Sequence, residues 1–102
     1  MARLVVMYKA PKDPVAFDKY YFATHVPIAK RLPGLRKYEV SQGAVATPGG
    51  PSGYHLVAIL HFDDVAAIQK ALASAEGQAA VADVQKFATG GVDIYLFDHR
   101  EV

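Results

Sequence analysis

The segment GYHLVAILHF, residues 53–62, constrains the fold more than any other part of the chain. It is apolar at almost every position, whereas a strand with one face in water alternates apolar and polar residues. This composition and length predict a central β-strand that is covered on both faces. The fold therefore needs a covering layer on each side of its sheet.

Three other segments have the β-rich composition or the two-residue alternation of strands. They are RLVVMYK (residues 3–9), LRKYEVSQG (35–43) and VDIYLFD (92–98). Between the second of these and the central strand, AVATPGGPS is rich in turn formers and is predicted to be a flexible loop.

Two stretches have the 3.6-residue apolar period of helices. The first begins at Asp13-Pro14, which suits an N-cap followed by a first-turn proline, and ends at Leu32-Pro33-Gly34. The second begins after Asp63 or Asp64 and ends at Gly90-Gly91, and Gly77 is expected to interrupt it.

The resulting order is βαββαβ, which predicts a ferredoxin-like α+β fold with a four-stranded antiparallel sheet and helices on one face. We expect one domain over residues 1–102, because 102 residues with 52% apolar side chains suffice for a single core. If Leu56 and Ala58 face the helices, an apolar set lies on the opposite face, flanked by His55 and His61. That set is Val5, Met7, Val57, Ile59, Tyr95 and Phe97. Two such faces packed together predict a homodimer.

Charge and composition argue against several classes of partner. Lys plus Arg number 11 against 10 for Asp plus Glu, and they are scattered, so neither nucleic acid nor a membrane surface is indicated. The chain has no cysteine, which excludes disulfides and thiolate metal sites. The apolar run near the N-terminus is shorter than a signal-peptide core or a membrane span, and we therefore expect a cytoplasmic protein.

A proline inside the first helical stretch marks the main candidate for chemistry. Phe17, Tyr21 and Ile28 lie on one helical face, but Pro27 lacks an N–H and disfavours helical geometry in the residue before it. The helix should therefore kink or end near His25, at the margin of its buried face. A neutral imidazole there suits acid or base catalysis, and the alternative is a structural histidine that caps the turn.

The phenols of Tyr8 and Tyr38 are the other candidate catalytic groups. Both are predicted to project from the sheet into a cleft beneath the first helix, where a phenol can orient a carbonyl or phenolate oxygen. The alternative is that both are core residues. We expect the His25 ring within about 4 to 6 Å of a tyrosine in this cleft, with His55 and His61 on the opposite face. The predicted substrate-binding residues are Phe17, Tyr21, Arg36, Leu56 and Ala58.

No cofactor or metal site is predicted. His55 and His61 are separated by about 20 Å at strand rise, so one chain cannot use them as a metal pair. The chain contains no G-x-G-x-x-G before a helix, no phosphate loop and no Cys-His-Asp set.

The run YKAPKDPVAFDKYYFATHVPIAKRLPGLRKYEVSQG, followed by a Gly-Tyr-led central strand and SAEGQAAVADVQKFA, resembles the EthD family. That family is named for a protein encoded with a bacterial system that degrades ethyl tert-butyl ether. The most specific features are Tyr-Tyr, the His-x-Pro of His25 and Pro27, and the Pro-Gly-Leu of Pro33 to Leu35. The resemblance covers essentially the whole chain.

This resemblance implies a dimeric α/β barrel built from two ferredoxin-like subunits. The wider superfamily includes cofactor-free monooxygenases, polyketide cyclases, lactone isomerases and haem-dependent enzymes, so the fold does not determine the activity. Similar proteins are often called oxidoreductases, yet no residue set here is specific to that label. The histidine of plant polyketide cyclases is absent from SAEG, Ser74 to Gly77.

Two classes of function are expected. The first is a small cofactor-free enzyme of oxidoreductase, cyclase or isomerase type that acts on a small hydrophobic molecule in a catabolic pathway such as ether degradation. The second is a non-catalytic binding or accessory protein that supports an oxygenase system. Substitution of His25 separates the two classes, because a catalyst loses kcat by orders of magnitude and a carrier does not.

Overall fold

The computed structural model describes all 102 residues and contains a four-stranded antiparallel sheet with the order β2-β5-β1-β6. The strands are β1 (Ala2–Lys9), β2 (Lys37–Val40), β3 (Ala46–Thr47), β4 (Gly50–Pro51), β5 (Tyr54–Phe62) and β6 (Val92–Asp98). The helices are α1 (Pro14–Tyr20), α2 (Val26–Ala29), α3 (Val65–Ala73) and α4 (Ala75–Phe87). A π turn, Tyr21–His25, joins α1 to α2.

This strand order is that of the predicted ferredoxin-like fold. The predicted central strand is confirmed, because β5 pairs with β1 on one side and with β2 on the other. The segment predicted as a flexible loop contains a small hairpin, in which β3 pairs with β4.

The core lies between the sheet and the helices. Every second residue of β5 faces the helices, so Leu56 and Ala58 are buried there as predicted. Four aromatic rings form the centre of this core, and every pair among them has ring centroids between 5.2 and 5.8 Å apart. The four residues are Tyr8, Phe17, Tyr21 and Phe87.

Side-chain caps define the helix starts. Asp13 Oδ1 accepts a hydrogen bond from Ala16 N at 3.1 Å, and Asp64 Oδ1 accepts one from Ala67 N at 2.7 Å. Asp63, the alternative cap, instead forms an ion pair with Arg36. None of the helices has the length and apolarity that crossing a membrane would require.

The second helical stretch divides at Ser74 and not at Gly77. Ser74 has an extended backbone, and its hydroxyl accepts a hydrogen bond from Gly77 N at 3.0 Å, which caps α4. Gly77 lies inside the first turn of α4, where an added Cβ would come 2.1 Å from the Ala71 carbonyl oxygen. The glycine is therefore required by close packing of α4 against the end of α3.

The second face of the sheet is not covered by any element of the chain. Val5, Met7, Val57 and Ile59 are half-buried there, and Tyr95 at the sheet edge is 57% exposed. The homodimer predicted from this face stays a prediction.

Candidate active site

The helix is interrupted near His25, as the position of Pro27 predicts, but by a π turn. The Val26 N–H donates to the carbonyl of Tyr21, five residues earlier, and Pro27 then begins α2. A π turn holds one more residue than an α-helical turn and changes the direction of the side chains that follow. His25 consequently lies on the buried face, with 4% of its surface exposed, and not at the margin.

A cavity of about 120 Å³ lies between the sheet and the helices, and His25 lines it. Tyr8, Tyr21, Tyr38 and Ala58 line the same cavity, whose remaining wall is almost entirely apolar. The rings of Tyr21 and His25 have centroids 5.3 Å apart, within the predicted range. The structure thus brings together the three residues predicted as catalytic and two of those predicted to bind substrate.

Asp83, on α4, holds the His25 ring. Its Oδ2 lies 2.9 Å from His25 Nδ1, and its Oδ1 accepts a hydrogen bond of 2.6 Å from the Tyr20 hydroxyl. Burial raises the pKa of Asp83, but the hydrogen bonds from Tyr20 and His25 outweigh it and bring the pKa below its usual value. Asp83 is therefore a carboxylate that accepts both bonds.

The protonation state of His25 follows from this pairing. Burial lowers the pKa of His25 by more than Asp83 raises it, so the ring is neutral at pH 7. Because Asp83 is ionised, the single proton of the neutral ring lies on Nδ1 and is donated to the carboxylate. The lone pair is then on Nε2.

Nε2 of His25 is open to a small molecule. Nε2 has no hydrogen-bond partner in the chain. Because every fully buried side-chain nitrogen or oxygen in the structure has a partner, Nε2 is not fully buried. His25 lines the cavity, so a molecule bound in the cavity reaches Nε2. The arrangement presents a neutral base to the cavity.

The tyrosines supply hydrogen-bond donors to the same space. The hydroxyls of Tyr21 and Tyr38 are 2.5 Å apart, and only one of them can donate to the other, so one phenolic proton is left over. The hydroxyl of Tyr8 has no partner in the chain and is not fully buried. Burial raises the pKa of all three phenols, which keeps them protonated. Two O–H donors are therefore available to a ligand.

Three residues predicted to bind substrate lie outside the cavity. Phe17 and Leu56 are buried in the core behind its wall. Arg36 precedes β2 at the sheet edge and is exposed, with its guanidinium nitrogens 3.0 and 3.1 Å from the two carboxylate oxygens of Asp63. Arg36 N still donates to the His61 carbonyl of β5 at 2.8 Å, so it is the ion pair with Asp63 that holds the side chain at the sheet edge.

The predicted position of His55 on the open face was wrong. The register of β1 and β5 shifts between Tyr8 and Lys9, which leaves His55 without a partner residue in a bulge. Its side chain turns towards α1, where Nε2 lies 2.7 Å from Asp18 Oδ1 and the ring meets Phe17 edge-on. His61 remains on the other side of the sheet and pairs with Glu39.

Asp83 is the residue of this candidate site that the sequence did not predict. Its only signal is its place in the apolar stripe of α4, three residues after Ala80 and four before Phe87, both of which are buried. A carboxylate in a buried stripe requires a polar partner, and the buried His25 is that partner.

The family of the chain is shown by comparison with known proteins. Residues 9–91 match the EthD domain. A protein of 11.0 kDa from the thcB-thcC intergenic region of Rhodococcus erythropolis is 36% identical over 102 residues, which are 100% of this chain and 98% of the relative. The crystal structure of an EthD family protein from Bacillus halodurans is 33% identical, with a TM-score of 0.89 over 98% of this chain and 99% of the other.

Two more distant structures share the fold. SnoaB, described as a cofactor-independent oxygenase from Streptomyces nogalater, is 19% identical with a TM-score of 0.68, over 99% of this chain and 94% of the other. A dimeric protein with a ferredoxin-like fold from Bacteroides fragilis is 14% identical with a TM-score of 0.65, over 96% and 95% of the two chains. The match over residues 9–91 and the identities above 30% along the whole chain establish that this protein belongs to the EthD family.

Proposed function

We propose that this protein is a small cofactor-free enzyme that removes a proton from the carbon next to a carbonyl group of a small apolar molecule. The observation that supports this most is the His25–Asp83 pair, which leaves the Nε2 lone pair facing a cavity with two free phenolic donors. A base and hydrogen-bond donors in one apolar space are the groups that enolate formation needs.

In the proposed step, Nε2 of His25 takes the proton as the C–H bond breaks. The electron pair of that bond forms the C=C bond of an enolate, and the carbonyl π electrons move to the oxygen. Tyr8 and the free hydroxyl of the Tyr21–Tyr38 pair donate to this oxygen, while Asp83 stabilises the imidazolium that forms. Where the substrate also has a C=C bond between its β and γ carbons, return of the proton to the γ carbon of the dienolate completes an isomerisation, with no oxidant required.

The size of the cavity limits the part of the substrate that reacts. Its volume of about 120 Å³ is somewhat smaller than the roughly 150 Å³ cavity that holds benzene in an engineered protein. The reacting portion is therefore a group of about six heavy atoms. Its apolar wall selects a neutral group, because no Asp, Glu, Lys or Arg side chain lines the cavity to pair with a substrate ion.

The likeness to SnoaB is consistent with this chemistry, since a base alone produces the carbanion and no bound cofactor is needed for that step. The second candidate function is a binding or accessory protein without catalysis. The predominantly apolar lining of the cavity favours it, because a carrier of hydrophobic molecules needs nothing more.

Hydrogen–deuterium exchange distinguishes the two functions without the natural substrate. We expect the protein in D₂O to accelerate exchange of the α-protons of phenylacetone above the rate in buffer alone, because the proposed step is the exchange step. Proton NMR of the ketone measures the rate. Binding of phenylacetone without accelerated exchange would contradict enzymatic proton removal and support the carrier.

We also propose that the protein is a homodimer in which the open faces of two sheets pack together, as in a dimeric α/β barrel. The half-buried Val57 and Ile59 and the exposed Tyr95 form an apolar surface of the kind that a partner covers. The relative from Bacteroides fragilis is described as dimeric.

Replacement of Ile59 with Asp should dissociate or aggregate the protein, because it buries an unpaired charge in that interface. Light scattering measures the mass, and Val15→Asp on the exposed side of α1 is the matched control that should leave the mass unchanged. A wild-type species of about 11 kDa at micromolar concentration would contradict the dimer.

A further inference from the structure

The helix layer does not cover β6 completely. Val92, Ile94 and Leu96 point to the helical side, because their partners in β1 are Tyr8, Val6 and Leu4, which are all buried there. Ile94 is nevertheless 47% exposed and Leu96 36% exposed. An apolar stripe of β6 is therefore open to solvent on the same side of the sheet as the cavity.

We call this stripe the slot, and the start of α3 closes one end of it. At one end, Asp98 Oδ1 accepts a hydrogen bond of 3.0 Å from Val65 N, which holds the start of α3 against β6. At the other end, Val92 lies beside Tyr8, and both residues line the cavity.

The slot leads directly into the cavity. Val81 and Gln85 on α4 and Ile94 on β6 line the cavity wall that also contains His25 and Tyr8. Val81 and Ile94 are also among the exposed large apolar residues of the chain. They thus lie at the opening of the cavity, where the interior meets the slot.

We propose that the slot holds the alkyl chain of the substrate, whose carbonyl end lies at Tyr8 and His25. This inference rests on the proposed function for the position of the carbonyl group. Asp93, the charged residue within this part of β6, is on the other face and accepts a hydrogen bond from Tyr54. Because Gln85 is the one polar residue at the opening, the occupant is an uncharged hydrocarbon chain.

The length of the slot gives the length of the chain. Val92 lies beside Tyr8, and Leu96 follows four residues later, a distance of about 13 Å at strand rise. An extended chain advances about 1.2 Å per bond, so roughly ten carbons reach from the tyrosine to the closed end. The substrate class is therefore a medium-chain aliphatic carbonyl compound.

Titration calorimetry with the straight-chain methyl ketones from 2-butanone to 2-undecanone tests this inference. We expect the affinity to rise by up to about fourfold for each methylene group, since each one leaves water for the cavity or slot, and to level off near ten carbons. An affinity that stops rising once the chain fills the closed cavity, at about six heavy atoms, would overturn the inference.

An aspartate at position 94 provides the matched variant. Ile94→Asp should weaken binding of 2-decanone at least tenfold and that of 2-butanone by a much smaller factor, whereas Val15→Asp, also at an exposed position, should change neither. Circular dichroism verifies that both variants fold. If Ile94→Asp dissociates the dimer, a second copy of the chain covers the slot and the inference is overturned.

The same ketones separate this inference from the proposed function. His25→Gln should lower the rate of α-proton exchange by two to four orders of magnitude while the rise of affinity with chain length persists. Chain-length dependence without any exchange in the wild type would contradict only the proposed catalysis. Exchange without chain-length dependence would contradict only the alkyl slot.

Discussion

Replacement of His25 with glutamine is expected to lower the rate of α-proton exchange in a bound ketone by two to four orders of magnitude, the usual contribution of a general base. Glutamine can still donate a hydrogen bond to Asp83, so the buried carboxylate keeps a partner and the fold is preserved. It has no group that accepts a proton near neutral pH. Proton NMR in D₂O measures the rate, and calorimetry verifies that the ketone still binds.

His55→Gln is the matched control for this experiment. His55 also pairs with a carboxylate, that of Asp18, but it lies outside the cavity. Its substitution should leave the exchange rate within a few-fold of the wild-type rate. Equal losses in the two variants, or no loss in His25→Gln, would show that His25 is not the base.

The pH dependence of the exchange rate gives a second signature of His25. Burial holds the pKa of His25 below its usual value of 6.5. The ring therefore stays predominantly neutral, and active as a base, as the pH falls from 8 to 6.5. Activity should be lost only at lower pH, as the base takes up a proton. A rate that already falls between pH 8 and 7 would contradict this assignment.

Much of the fold is predictable because its signals are local. The apolar run of β5 identifies a central strand, and Asp13 and Asp64 cap the helices that follow them. Away from the bulge at His55, the face on which each of these side chains lies follows from alternation, which places Tyr8 and Tyr38 with Ala58 in the cavity wall.

The parts that could not be predicted depend on contacts between distant segments. The bulge that turns His55 towards α1 arises from its pairing with β1, more than forty positions earlier in the chain. The contact between His25 and Asp83 joins residues 58 positions apart, and no motif marks the second of them. The π turn also has no local pattern beyond Pro27, so sequence analysis placed His25 at the margin of a face that in fact buries it.

Replacement of Asp83 with asparagine is expected to reduce the exchange rate by up to about four orders of magnitude, the size of the loss when the orienting carboxylate of a Ser-His-Asp triad is replaced in the same way. The reason lies in the tautomer of His25. Tyr20 donates to Oδ1 of residue 83, which favours the amide oxygen at that position and places the amide NH₂ against His25 Nδ1. An NH₂ donor requires the lone pair on Nδ1, so Nε2 carries the proton and can no longer accept one.

Two further measurements distinguish a positioning role for Asp83 from a merely structural one. Tyr20→Phe removes the other hydrogen bond to Asp83 but leaves the tautomer of His25 unchanged, so it should reduce exchange by less than tenfold. Asp83 also raises the pKa of His25. In Asp83→Asn, the pH at which the remaining exchange activity falls on acidification (the acidic limb of the pH profile) should therefore be lower than in the wild type. A general loosening of the fold would lower the melting temperature without moving that limb. Wild-type exchange in Asp83→Asn would show that His25 acts without a carboxylate partner, or does not act at all.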